Sequence, residues 1–281
     1  MAMPDSGQWF AGYLLGDVLG EGDLGIVYRA LPARAQAPVA VKIFRAEATG
    51  EAELSRRLES ERRTMALAHP HLVRVLDVGV DNGRPYSSMQ LVDGPTLRAV
   101  LNRPERPDRA WITLVVTQIA GALGAIHGAG FVHRNVTPEN ILLEQDLGHP
   151  HAYLADFSLS RDPSADHATN VGVLVGSHAY LAPEQVIGVD EVDPRTDVYA
   201  LGCVAYEALV GRTPFADDNP AVSLLRRTSQ RPPPPSAVRP ELGPAWDEAL
   251  LHALSTGPDD RFSTAAEFAL AFSTAGSLAP E

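Results

Sequence analysis

The chain has 281 residues, 45% apolar and 21% charged, which excludes a disordered or fibrous protein and allows one two-lobed domain with a sizeable core. Its formal net charge of -12 argues against a general nucleic-acid binder or a polybasic membrane binder. A single cysteine, Cys203, excludes an internal disulfide framework, and its apolar surroundings read as an inert buried thiol in a reducing compartment.

No run approaches the length of a membrane-spanning helix, and the opening MAMPDSGQWF lacks a signal-peptide core. The expected location is therefore cytoplasmic, either as the chain stands or as the cytoplasmic part of a longer membrane-anchored protein. The first elements read as strands, 13–19 and 26–30, flanking the turn LGEGDLGIVY. Gly20, Gly22 and Gly25 there form a G-x-G-x-x-G-x-V frame, and bare glycine backbone can turn sharply and approach a phosphate. The same glycine spacing marks dinucleotide folds, but those need a helix next, and here a strand follows. That strand pattern continues into VAVKIF, 39–44, which carries Lys42 inside an apolar run. An ion pair plus a phosphate accounts for a lysine in that place, whereas an edge strand guarded against aggregation is the alternative.

Residues 51–68 are charged and helix-friendly, and 72–80 and 86–92 read as two more strands. From Ile112 the period changes. Ile112, Val116, Ile119, Leu123 and Ile126 form the stripe of an amphipathic helix closed by Gly128 and Gly130. The loop FVHRNVTPEN, 131–140, follows. His149 and His151 flank a proline in a predicted loop and read as exposed histidines, not a metal site. Residues 196–210 are apolar nearly all round, a helix buried within a helical lobe and ended by Gly211. RPPPPSAVRP, 231–240, predicts an irregular connection. No internal repeat is visible. Strands first and helices later, with a hinge near Asp93 and Gly94, predict an α+β chain.

Taken in order, these motifs resemble the eukaryotic-type protein kinase family, in its bacterial Ser/Thr branch, from about Tyr13 to Phe272. The glycine turn resembles the glycine-rich loop and Val39-Ala40-Val41-Lys42 the third-strand lysine motif. His133-Arg134-Asn135 with Asn140 is similar to the catalytic loop, Asp156-Phe157-Ser158 to the D-F-G motif, and Ala182-Pro183-Glu184 to the end of an activation segment. The resemblance implies one protein-kinase-like domain over 1–281, bilobal, with a small β-rich lobe at 1–92 and a larger helical lobe at 93–281. It also implies ATP and Mg2+ in the cleft between lobes, a protein substrate or partner, and no nucleic acid or membrane in this segment.

By the same resemblance, Lys42 would hold the α- and β-phosphates and pair with a helix glutamate, Glu61 or its neighbour Glu59. Met89 would back the adenine pocket, Gln90 to Val92 would form the hinge, and Val27, Ala40 and Leu142 would sandwich the ring. Asn140 and Asp156 match the metal ligands, an amide oxygen and a carboxylate suited to a hard octahedral cation. Arg261 would be the partner of Glu184. Ser164, Thr169 and Ser177 are possible phosphosites, and Arg134 a possible phosphate partner.

Three positions depart from the family pattern. Asn135 stands where the catalytic aspartate accepts the substrate proton, and an amide cannot serve as that base. Thr137 replaces the lysine that neutralises the transferred phosphate, and Ser158 replaces the D-F-G glycine. These imply a pseudokinase that binds ATP and acts as a regulatory or scaffold module. Two alternatives stand beside it: an active or experimentally inactivated Ser/Thr kinase, and an interaction module that binds no nucleotide.

Overall fold

A computed structural model describes residues 3–22, 25–34, 37–45, 51–144, 149–157, 178–189 and 193–278. They form two compact units. The first takes in the described residues up to Ala68, then Val73–Val92 and Phe157; the second takes in His69–Leu72, Asp93–Asp156 and the described residues that follow.

Unit one is an antiparallel six-stranded sheet with one helix. Its strands are β1 (Trp9–Phe10), β2 (Tyr13–Gly22), β3 (Gly25–Pro32), β4 (Val39–Phe44), β5 (Val75–Asp81) and β6 (Arg84–Gln90), in the spatial order β1-β2-β3-β4-β6-β5. The helix α1 spans Glu51–Thr64 and packs on β5 and β6. Every residue of β4 is buried, and the strand lies inside the sheet, so the edge-strand reading of Lys42 is excluded. Alternation divides β4 cleanly. Val39, Val41 and Ile43 join Phe10, Leu15, Tyr28, Ala30 and Tyr86 in a core cluster, while Ala40, Lys42 and Phe44 take the opposite face. The strand expected at 72–80 begins only at Val75, because residues 69–72 belong to the second unit, where Leu154 N–H donates to His71 O at 2.9 Å. The two-residue β1, paired with β2, is an addition to the sequence reading.

Unit two contains α2 (Leu97–Leu101), α3 (Arg109–Gly128), β7 (Ile141–Glu144), β8 (His151–Leu154), α4 (Pro183–Ile187), α5 (Arg195–Val210), α6 (Pro220–Ser229), α7 (Pro235–Val238), α8 (Gly243–Ala253) and α9 (Ala265–Leu278). Helix α5 is buried along nearly its whole length and ends at Gly211, whose φ of +87° gives the left-handed cap that glycine adopts without strain. Helix α3 packs against α9, α5 and β8. By length and composition it is also apolar enough to cross a membrane, which corrects the expectation that no run approaches that length. Its buried stripe from Ile112 to Ile126 is the central packing surface of this unit.

Two further expectations change. The 231–240 stretch holds the one-turn α7, because Pro235 occupies its first turn, where the missing N–H costs nothing. His151 is not in a loop: it opens β8, donates from Nε2 to Pro70 O at 3.0 Å and stacks on Tyr153. Cys203 is fully buried, and burial pushes its thiol up to about 11, which fits an inert group.

Candidate functional site

The register of unit one gathers the predicted nucleotide residues on one face. Val27 lies opposite Lys42 and Ala40 opposite Met89, and cross-strand partners share a face. Gly20 lies opposite Val27 and joins them. Around Gly20 and Gly22 a Cβ would meet nothing within 4 Å, so the backbone there is bare on that side. Gly25 differs, since a Cβ would sit 2.2 Å from Ile43 O. The sheet itself therefore requires glycine at 25, independently of any phosphate. Lys42 is buried with its Nζ 5.2 Å above the Phe44 ring. Of the two glutamates on α1, Glu61 is buried at 1% exposure, while Glu59 is exposed and pairs with Arg63 at 3.1 Å. Ser60 donates to the carbonyl of Phe157 at 2.9 Å. Met89 is buried and Gln90 N–H donates to Arg74 O at 2.9 Å, with Val92 half-buried at the end of the unit.

In unit two the loop 131–140 is fixed from inside. Asp197, fully buried in the first turn of α5, accepts the N–H of His133 at 2.8 Å, the N–H of Arg134 at 2.7 Å and Nε2 of His127 at 2.8 Å. Burial alone would raise the Asp197 carboxyl, but the hydrogen bond and charge of His127, with the backbone N–H of His133, hold it below its ordinary value. Arg134 has φ +68°, a left-handed conformation that strains a non-glycine residue, and its carbonyl accepts from Gln185 at 3.2 Å. The Asp197 bonds are what keep that strained turn in place. His133 is fully buried; its Nδ1 accepts Asn135 N–H at 3.2 Å, so Nε2 carries the proton shared with Ala155 O at 3.2 Å. Burial lowers the His133 pKa, which keeps the ring neutral.

Ala155 N–H donates to Asn140 O at 2.9 Å, which brings the Asp156 backbone beside Asn140. Asp156 is the second strained residue, also at φ +68°. The Asn140 Nδ2 donates to Asn135 O at 2.9 Å, and a carbonyl can only accept, so the amide oxygen is the atom left to face a ligand. An amide oxygen beside a carboxylate is a donor set that fits a hard divalent cation such as Mg2+. Thr137 is buried at 5% exposure and Leu142 is half-buried in β7. Ser158 and the possible phosphosites Ser164, Thr169 and Ser177 lie outside the described residues.

Two networks brace this loop. Arg98 on α2 donates to Glu139 at 2.8 Å, to Glu207 at 2.7 Å and to the Tyr180 hydroxyl, which itself donates to Glu207. Burial, then the Glu207 charge, raises the Tyr180 pKa, so the hydroxyl stays a donor. Arg261 grips Glu184 through both nitrogens at 2.8 and 2.7 Å, and Thr196 Oγ1 adds a third bond at 2.7 Å. Burial pushes the Glu184 carboxyl up, but Arg261 outweighs it and the net shift is down. The role of Arg98 is not announced by motif position. The clue to Asp197 is that it opens the 197–202 stretch DVYALG, which resembles the family's central helix of the large lobe.

These shifts have one sign. A carboxylate held below its ordinary value contributes stability above the unfolded pKa of about 4, lost as pH falls through the folded value. A histidine lowered by burial contributes above about 6.5 and likewise loses its share on acidification. Through His133 first and then, below about pH 4, through Glu184 and Asp197, urea midpoints should fall from pH 7 to about pH 3. A midpoint that is flat or rising across that range would contradict the assignment.

Residues 13–266 match the family described as protein kinase domain. The Ser/Thr protein kinase PknH of Mycobacterium tuberculosis is 37% identical over 268 residues, covering 94% of this chain and 42% of that protein. PknD of the same organism is 37% identical over 274 residues, 96% of this chain and 40% of that protein. The chain thus spans about two fifths of the length of these relatives. The crystal structure of the Mycobacterium tuberculosis PknI kinase domain superposes with a TM-score of 0.77 at 32% identity, covering 98% of this chain and 100% of that one.

Proposed function

The chain belongs to the protein kinase family, and from that premise we propose that it binds ATP with Mg2+ and has lost most phosphoryl transfer, acting as a regulatory or scaffold module. One observation carries the reading. The loop that holds Asn135 keeps its frame, with His133, Arg134 and Asn140 tied as described, while the base position carries an amide.

Lys42 binds the phosphates in this reading, with buried Glu61, not exposed Glu59, as its helix partner. Val27, Ala40, Met89 and Leu142, with the backbone of Gln90 and Val92, receive the adenine, and the bare backbone of Gly20 and Gly22 approaches the phosphates. Asn140 and Asp156 hold Mg2+, which when bound neutralises phosphate charge. The Asn135 carbonyl oxygen can still orient a hydroxyl but cannot take its proton. Buried Thr137 supplies no charge to a transferred phosphoryl group. Binding of nucleotide or a protein partner, in the cytoplasm, would be the switching event.

A melting experiment tests the first half. With free Mg-ATP about 100 times its Kd, the midpoint should rise by about 5–10 °C, and Lys42→Ala should abolish the rise. No shift at millimolar Mg-ATP would favour the module that binds no nucleotide. The intact loop frame also suits a second reading, a slow but active Ser/Thr kinase, and a change at position 135 separates the two.

A further inference from the structure

Arginines recur at every third position in Arg103-Pro104-Glu105-Arg106-Pro107-Asp108-Arg109, with Glu105 and Asp108 between them. Two of them, Arg106 and Arg109, line a cavity of about 440 Å3 within unit two, where the first turn of α3 meets the last turn of α5. Arg239 completes the cationic lining, and Ile112 and Leu209 provide an apolar one. The volume falls in the range of sites that take small molecules.

The hydrogen bonds separate the groups already committed from those on offer. Arg239 donates to Leu209 O at 2.5 Å and to Glu241 through Nε at 2.8 Å and Nη2 at 2.7 Å. Glu241 is in this way engaged. Asp108 Oδ1 accepts Trp111 N–H at 2.7 Å as the cap of α3. Arg106 gives one nitrogen, Nη1, to Val210 O at 2.9 Å and lies across the end of α5. It can do so only because residue 211 is glycine, since a Cβ there would stand 1.9 Å from Arg106 Nη2. Arg109 Nη1 is buried and has no hydrogen-bond partner among the described residues. Arg109 as a whole is half-buried and its charge acts on the Glu241 carboxylate, but this one nitrogen is an unmet donor on offer to an acceptor from outside the chain. The N-terminus of the 20-residue α3, at the same place, adds a further preference for negative charge.

We propose that this cavity binds a phosphoryl-type oxyanion, gripped by Arg106 and Arg109, with whatever carries the group lying against Ile112 and Leu209. Paired guanidinium forks match the oxygens of such a group, and the apolar lining suits an organic carrier. None of the residues assigned above to ATP or Mg2+ takes part, so this site stands or falls separately from the nucleotide reading.

Calorimetric titration without Mg2+ tests it, using inorganic phosphate and phenyl phosphate as probes at constant ionic strength. Wild type should bind saturably, and Arg106→Gln and Arg109→Gln should each weaken binding by about 10- to 100-fold. Arg226→Gln, at an arginine outside this cavity that pairs with Asp217, should leave it unchanged. Tighter binding of phenyl phosphate would assign a phosphomonoester ligand, and equal binding would assign the free ion. Absence of saturable binding of both probes up to about 10 mM, or equal binding by wild type and both arginine variants, would overturn the proposal.

Discussion

Replacing Asn135 by aspartate should raise phosphoryl transfer, to the chain itself or to a protein substrate, by about 10²–10⁴-fold. The two side chains are nearly equal in size. The contacts that set the loop at this residue use its backbone: Asn135 N–H donates to His133 and Asn135 O accepts from Asn140. The substitution therefore returns a negative charge and a proton acceptor without disturbing the frame. Transfer of labelled phosphate from ATP, with Lys42→Ala added to the aspartate variant as a blank, measures the gain. A wild type already as fast as its Asn135→Asp variant would refute the impaired-kinase reading and leave an active kinase. A variant with no gain, in a chain that still binds Mg-ATP, would mean the loss extends to Thr137 or beyond.

Arg261→Ala should cost about 3–5 kcal/mol of stability, measured by urea unfolding at pH 7. The guanidinium is buried, bonded twice to Glu184, bonded also to Ser255 O at 2.8 Å and Thr256 O at 3.0 Å, and stacked 4.8 Å above Tyr199. Removing it leaves the Glu184 carboxylate buried with Thr196 alone as a side-chain partner, which is the expensive outcome for a buried ion pair. The double change Glu184→Leu with Arg261→Met should recover a large part of the loss, because no charge is then left buried. A single-variant cost below about 1 kcal/mol would show that the pair is dispensable. Because Gln185, next to Glu184, bonds to Arg134, loosening this corner should also slow any transfer gained by Asn135→Asp.

The local parts of this protein are legible without coordinates. Gly20, Gly22 and Gly25 mark a strand–turn–strand because glycine alone turns so tightly, and the Ile112-to-Ile126 stripe marks a helix by its period. The 39–44 strand stands where the apolar run places it. The start of β5 is not legible, since Leu72 and Val73 continue its apolar run, yet Leu72 is withdrawn by pairing with Leu154 of β8. The identity of Glu61 over Glu59 as the buried glutamate depends on which face of α1 packs on the sheet, and neighbouring letters cannot decide it.

The sequence by itself determined the family, the order of the motifs and the departure at Asn135, because each is a short pattern whose chemistry resides in adjacent residues. Only the tertiary structure decided what holds those motifs in position. Asp197 reaches His133 across 64 residues and Arg98 reaches Glu207 across 109, whereas the reach of Arg261 to Glu184 is already implied by the family resemblance. Such pairs form when packing removes water and leaves each charge one partner within reach, and that choice exists only in the folded chain.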